Sequence, residues 1–213
     1  MKLYDLTITE FLDQVDSATP TPGGGSVSAL TIAKGISLVR MVGHLTIPKK
    51  KFQELDEAIK LDYMSRISAL DEIKVQMIQL IDKDTAAFNK IIAAFRMPKD
   101  TSTEKQARNK AINEGTIEAT EVPLQGAKLA LKALELAEPT LKYANKTALS
   151  DFGVGVHLIL AGLHGCVLNV KTNMHNYHDK ELSNKYYDEV KSIEEKAKKI
   201  ASSLLKVVNQ EFA

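Results

Sequence analysis

Apolar positions recur at helical spacing along almost the whole chain, and no stretch shows sustained period-two alternation. Thr7 and Glu10 stand at capping-box spacing ahead of Phe11, Leu12 and Val15, which predicts a short first helix ending near Ala18. From Ser26 to about Leu45 the residues are apolar or small on nearly every face (Val27, Ile32, Ile36, Val39, Val42), the pattern of a helix enclosed by others. Pro48 and the run Lys49-Lys50-Lys51 end it. Between Phe52 and about Phe95 there is neither proline nor glycine, and Leu55, Ile59, Tyr63, Ile67, Leu70, Ile73, Met77 and Leu80 trace one apolar stripe. This predicts one long amphipathic helix or a closely joined pair.

Met97-Pro98-Lys99-Asp100 breaks the pattern, and Thr101 and Glu104 repeat the capping-box spacing at the start of a helix running toward Glu135. Pro123 inside that helix predicts a kink near Ala119 to Val122, and Glu138-Pro139 closes it. Asn145 to Ser150 reads as a loop, with Ser150 or Asp151 capping the next helix. Phe152 to Val170 carries no Asp, Glu, Lys or Arg and is long enough to cross a bilayer. Its glycines suit close helix contact, while His157, His164 and Asn169 need polar partners, so it is expected to be the central core helix. A charged amphipathic helix starting at Asp179 or Ser183 ends the chain. The expected fold is all-α: a single domain over residues 1–213, a bundle of six to eight helices with long antiparallel members. The two nearly charge-free helices suggest burial that extends into a homodimer interface.

Charge narrows the function classes. Lys and Arg total 28 against 27 Asp and Glu, a balance that argues against a general nucleic-acid binder or a binder of anionic membranes. Lys2, Asp5, Glu10 and Asp13 interrupt any secretory apolar region, and the lone Cys166 has no internal disulfide partner, so a reducing, cytoplasmic setting is expected. Within its apolar run, Cys166 reads as a core residue.

Candidate chemistry begins at Pro22-Gly23-Gly24-Gly25-Ser26. The glycines permit positive φ and close approach of another group, and Ser26 is placed to cap the helix that follows. Such a helix start would aim unpaired N–H groups at a carboxylate or a polar heterocycle, although the glycines alone equally allow a flexible turn. No Gly-Lys-Ser/Thr follows and no strand precedes, so neither a P-loop nor a dinucleotide fingerprint is present. Asp84, Asn145, Ser150, Asp151, Asn169 and Asn173 are polar groups beside apolar segments, and they form a site only if the helices bring them together. Singly, Asp84 fits a solvated position beside Lys83, Asp151 a helix cap, and Asn169 with Asn173 a pair sharing one helix face. His157 with His164, and His175 with His178, lack a Glu-x-x-His partner, and no metal site is expected.

The order Pro22-Gly23-Gly24-Gly25-Ser26, Asp84-Thr85-Ala86-Ala87-Phe88, Met97-Pro98-Lys99, Val122-Pro123-Leu124, Asn145, Ser150-Asp151-Phe152-Gly153-Val154, Asn169-Val170 and Asn173 resembles the cyclodeaminase/cyclohydrolase family, over nearly the whole chain. Met97 and Thr172 stand where Leu and Ile are expected, and Ala144 where glycine often precedes the asparagine. The resemblance implies an all-helical folate enzyme, usually a homodimer. It would act on 5-formimino-tetrahydrofolate with release of ammonia or, alternatively, on 5,10-methenyl-tetrahydrofolate with addition of water; a non-catalytic folate-binding protein is a lesser alternative. It implies no cofactor beyond the tetrahydrofolate substrate. Asp84 and Asp151 would be the catalytic pair, with Gly23, Gly24, Gly25, Ser26, Phe88, Asn145, Ser150, Asn169 and Asn173 binding the substrate. Lys49 to Lys51, Lys99 and Arg108 suit either a folate polyglutamate tail or an ordinary solvated surface.

Overall fold

The computed structural model describes residues 2–212; Met1 and Ala213 lie outside that description. Seven α-helices follow in order: α1 (Ile8–Val15), α2 (Gly24–Thr46), α3 (Lys50–Gln53), α4 (Glu57–Phe95), α5 (Ser102–Ala137), α6 (Leu149–Met174) and α7 (Lys180–Gln210). Short 3-10 segments precede α1 and fill the α5–α6 connection, and no strand occurs among the described residues. The predicted all-α bundle is what forms. Both capping boxes are present: Thr7 with Glu10 opens α1, and Thr101 with Glu104 opens α5. At α7 the cap is Asp179, whose carboxylate accepts from the Leu182 N–H at 2.9 Å, rather than Ser183.

The stretch from Phe52 takes the second form the sequence allows, a closely joined pair, the single turn α3 and the long helix α4, because Glu54 to Asp56 leave helical geometry. Two boundaries differ from the sequence reading. Helix α2 begins at Gly24, two residues before Ser26. Helix α6 begins at Leu149, so Ser150 and Asp151 lie in its first turn and neither is its cap. Asp151 still places a negative charge where the helix dipole favours one.

Long helices paired along the bundle run antiparallel in α2–α4 and α6–α7. Gly43 packs on Ile67 while Ser26 meets Asp84, so α2 and α4 are opposed; His164 faces Glu194 while Gly153 faces Val208, so α6 and α7 are too. The core pair is α2 with α6. A Cβ at Gly35 would lie 2.6 Å from the Gly155 carbonyl oxygen, and one at Gly155 would lie 2.8 Å from the Gly35 carbonyl oxygen. The two backbones touch there, and only glycine permits it. Ile32, Ile36, Val156, Ile159 and Leu163 fill the seam and are wholly buried. Each such side chain contributes about 1.5–3 kcal/mol through removal from water. These two helices are also long and apolar enough to cross a membrane. In this bundle their inner faces meet protein.

Pro123 sits inside α5 without ending it. Proline has no N–H to offer the carbonyl four residues earlier, which is that of Ala119. Asn173 of α6 supplies the missing donor, its Nδ2 lying 2.7 Å from the Ala119 oxygen.

Candidate functional site

The start of α2 is built around a carboxylate from α4. The Ser26 N–H donates to Asp84 Oδ2 at 2.9 Å. The Ser26 hydroxyl lies 2.7 Å from the Ile81 carbonyl oxygen and 3.1 Å from Asp84 Oδ2, so its single proton serves one acceptor at a time. Thr85 Oγ1 stands 3.3 Å from the same hydroxyl. Gly25 explains how the carboxylate comes so close: a Cβ there would be 2.0 Å from Asp84 Oδ1. Gly24 faces Asn169 of α6 in the same way, with Asn169 Nδ2 3.4 Å from the position of a Cβ.

This arrangement corrects two expectations about the glycine loop. Its glycines are not used for left-handed backbone, since no described glycine has positive φ; they are used for close approach. Ser26 is not the cap either, because Gly23 occupies that place and Ser26 is fully buried. The predicted attraction between the helix start and an anion does operate, yet the first anion it holds is the protein's own Asp84. Burial pushes the Asp84 pKa above the ordinary aspartate value, while the Ser26 hydroxyl and N–H pull it down; desolvation is the larger effect. The result is a partly buried carboxyl that holds its proton more firmly than a free aspartate.

Gly23, Gly24, Gly25, Ser26, Asp84 and Asn169 therefore converge at one end of the α2–α6 pair. Phe88 is half-buried one turn beyond Asp84 on α4. Asn169 spends its amide on the Gly165 carbonyl at 2.8 Å, leaving its oxygen as an acceptor beside Gly24. Asn173, expected to read substrate, has its amide engaged with Ala119, which gives it a structural task. The sequence carried a signal for this, since a helical proline orphans a carbonyl four residues back, but nothing local told which side chain would answer it. Burial raises the Cys166 thiol to about 12, with the Asp84 charge as a second cause, so it is an inert wall of the core.

The remaining predicted residues lie elsewhere. Asn145 caps a 3-10 turn, accepting from the Thr147 N–H at 3.3 Å, and its own N–H donates to Thr46 Oγ1 at 2.9 Å, at the far end of α2. Ser150 and Asp151 open α6 beside it. From Asp151 to Asn169 the helix advances eighteen residues, about 27 Å. A single subunit therefore keeps Asp84 and Asp151 at opposite ends of the molecule. Arg108 packs on the Phe95 ring and bonds its carbonyl near the α4–α5 turn, whereas Lys49, Lys50 and Lys51 stand at the Asn145 end.

Comparison with known proteins gives a consistent set. The sequence model of the formiminotransferase-cyclodeaminase family matches residues 7–209. A methenyltetrahydrofolate cyclohydrolase of Methylorubrum extorquens is 34% identical over 187 residues, which are 88% of this chain and 88% of that protein. The formimidoyltransferase-cyclodeaminase of Rattus norvegicus is 29% identical over 203 residues, 95% of this chain but 37% of its own length. The chain thus spans little more than a third of that two-activity protein. The crystal structure of a formiminotetrahydrofolate cyclodeaminase from Thermotoga maritima superposes with a TM-score of 0.87 at 22% identity, over 100% of both chains, and so shares the fold.

Proposed function

The chain belongs to the formiminotransferase-cyclodeaminase family, and we propose that it is a folate one-carbon enzyme whose leading activity converts 5-formimino-tetrahydrofolate to 5,10-methenyl-tetrahydrofolate and ammonia. The observation that carries this reading is the partly buried Asp84 carboxyl held by Ser26 against the start of α2, its pKa raised by burial. N10 of the folate attacks the formimino carbon to give a tetrahedral centre. N10 then loses its proton, the former imino nitrogen, =NH in the neutral substrate, takes up two protons in all, one matching that lost by N10 and one from an acid, and the C–N bond to that nitrogen breaks to release ammonia. The product spreads a positive charge over N5 and N10. Such chemistry wants one carboxyl that exchanges protons near neutrality and one carboxylate beside the developing cation. Asp84 and Asp151 are proposed for these roles, with Gly23, Gly24, Phe88 and Asn169 contacting the folate. The one-carbon unit arrives on the substrate, so the reaction needs no further cofactor.

The separation of the two aspartates at opposite ends of the bundle favours a homodimer in which they meet across subunits. The outer face of α6 carries the exposed residues Ser150, Val154, His157, Ala161, Leu168 and Thr172, three, four or seven positions apart and so on one side of the helix, with no Asp, Glu, Lys or Arg among them. Val154 and Leu168 are 50% and 63% exposed, large values for apolar side chains on a core helix. The stripe centres on Ala161. A two-fold axis through that point pairs α6 with its own copy in antiparallel fashion and brings Asp151 of the partner subunit to within about one or two turns of Asn169.

A second reading is methenyltetrahydrofolate cyclohydrolase, favoured by the Methylorubrum relative matched along nearly its whole length. Water then replaces N10 as nucleophile at the same carbon, and the product is 10-formyl-tetrahydrofolate. Incubating the protein with each folate while following methenyl absorbance together with ammonia separates the two. Rising absorbance with equimolar ammonia from the formimino substrate supports the leading reading; falling absorbance from the methenyl substrate alone supports the second. No turnover of either overturns both.

A further inference from the structure

Helix α1 buries only one of its side chains, Phe11, and beside that anchor a groove of about 240 Å³ stays open between α1, α2 and α4. Leu6, Ile8 and Leu12 form its outer wall, and Leu30 of α2 with Ile78 and Ile81 of α4 form its floor. Ile8 and Leu12 stand one turn apart on α1 and are 74% and 57% exposed, although both line the groove. Two isoleucines and two leucines therefore face each other across space that the fold leaves unfilled.

The polar groups of the lining are already engaged. The Thr7 hydroxyl donates to Glu10 Oε2 at 2.7 Å within the capping box of α1, and the Tyr4 hydroxyl is taken by Lys2. No Asp or Glu lines the groove. Its one charge is Lys34, a turn beyond Leu30 on the same face of α2, exposed and without an ion pair or side-chain hydrogen bond among the described residues. The walls are held in place from both sides: the Leu3 N–H donates to Asp82 Oδ1 of α4 at 2.8 Å, and Phe11 is buried in the core. The groove thus exists before any occupant arrives, which spares a ligand the cost of ordering it.

Water in such a space finds few partners, so an apolar body displaces it at a gain. A water molecule takes up about 30 Å³ of liquid, and the groove holds about eight such volumes, room for a body of about six to ten carbons. The unpaired ammonium at the edge attracts an anionic head and repels a cationic one. A single cation matches a single negative charge.

We propose that this groove binds an amphipathic monoanion, a medium-chain carboxylate whose alkyl body lies along Leu30, Ile78 and Ile81 and whose head pairs with Lys34. None of Gly24, Asp84, Phe88 and Asn169 lines the groove. The site is separate from the Asp84 centre, and binding there does not depend on the folate reading.

The test is titration calorimetry of the full chain with octanoate, 1-octanol and octylammonium, each below its micellar or solubility limit. Wild type is compared with Lys34→Gln, with Ile8→Glu and with the control Lys105→Gln, which removes one exposed charge elsewhere. An acid in the first turn suits the helix dipole, so Ile8→Glu should fold, and circular dichroism checks each variant. Wild type should bind octanoate saturably and octylammonium at least about tenfold more weakly. Lys34→Gln should weaken octanoate at least about threefold while leaving octanol unchanged, and Ile8→Glu should weaken octanoate at least about tenfold by setting a like charge at the mouth. The control should match wild type. No saturable octanoate binding, equal affinity for octylammonium, or an unchanged octanoate affinity in Lys34→Gln overturns the proposal. Self-association in a sedimentation experiment that Ile8→Glu abolishes, with no octanoate bound, assigns the groove to a second copy of the chain and overturns it too. Calorimetry measures no turnover, so a failure here leaves the proposed folate activity untouched, and the reverse is equally true.

Discussion

Gly25 and Asp84 leave no room for a third group between them: a Cβ on residue 25 would overlap the Asp84 carboxylate at 2.0 Å from Oδ1. The carboxylate hangs from a rigid helix and cannot retreat without breaking its bonds to Ser26. Gly25→Ala should therefore displace Asp84, lower stability by about 1–3 kcal/mol through overpacking, and cut turnover by about a hundredfold through misplacement. Melting temperature and initial rates check both. A Gly25→Ala protein with wild-type rates would mean that the Asp84 position does not matter to the chemistry.

Ser26→Ala tests the electrostatics of the same contact. The serine hydroxyl lowers the Asp84 pKa and burial raises it, so removing the hydroxyl leaves burial less opposed and the pKa rises further. The limb of the pH–rate profile that reports Asp84 should move to higher pH, with stability reduced by about 0.5–1.5 kcal/mol. Stability follows the same linkage. The folded protein binds the Asp84 proton more tightly than the unfolded chain, so this contribution is full below the unfolded carboxyl pKa and is lost as pH rises through the native one. Melting temperature of the wild type relative to Asp84→Asn should accordingly fall as pH rises across that window. A flat difference contradicts the raised pKa.

Asn173 and Pro123 should be energetically coupled. Asn173→Ala strips the donor from the Ala119 carbonyl and is expected to cost about 1–3 kcal/mol. Adding Pro123→Ala restores a backbone N–H four residues after Ala119, so the double variant should be more stable than Asn173→Ala alone. Urea denaturation of the four proteins of the cycle measures this, and simple additivity would dismiss the coupling.

The dimer proposed for catalysis makes a complementation prediction. Asp84→Asn and Asp151→Asn subunits should each be nearly inactive as homodimers. After dissociation and reassociation at equal ratio, half of the dimers are mixed and each carries one intact site, so activity should return to about a quarter of the wild-type value. Mixed dimers with no regained activity would place both aspartates' work within one subunit or remove one of them from it.

Much of this was legible in the sequence because it is local. Capping boxes, proline positions and helical periodicity involve residues within a few turns, and they located the helices to within a few residues. The partnership of Gly25 with Asp84 spans fifty-nine positions, and that of Asn173 with Ala119 fifty-four; no spacing rule connects them. The glycine run is thus legible as a place of close approach, but it points to a ligand, whereas the group that approaches is Asp84. Asp151 is the sharper case. Family order places it in one list with Asp84, yet α6 holds it eighteen residues, about 27 Å, from Asn169 at the Asp84 end, since order along a chain says nothing about which end of a bundle a helix start occupies.

The central claim is that Asp84 carries chemistry at the folate one-carbon bridge, and the direct measurement is the single-turnover rate of Asp84→Asn against wild type with 5-formimino-tetrahydrofolate, read by methenyl absorbance and ammonia together. The amide can still accept from Ser26, so the variant should fold with an unchanged helical spectrum. A rate at least about a hundredfold below wild type is the predicted result. A folded Asp84→Asn protein that releases ammonia at the wild-type rate would contradict it.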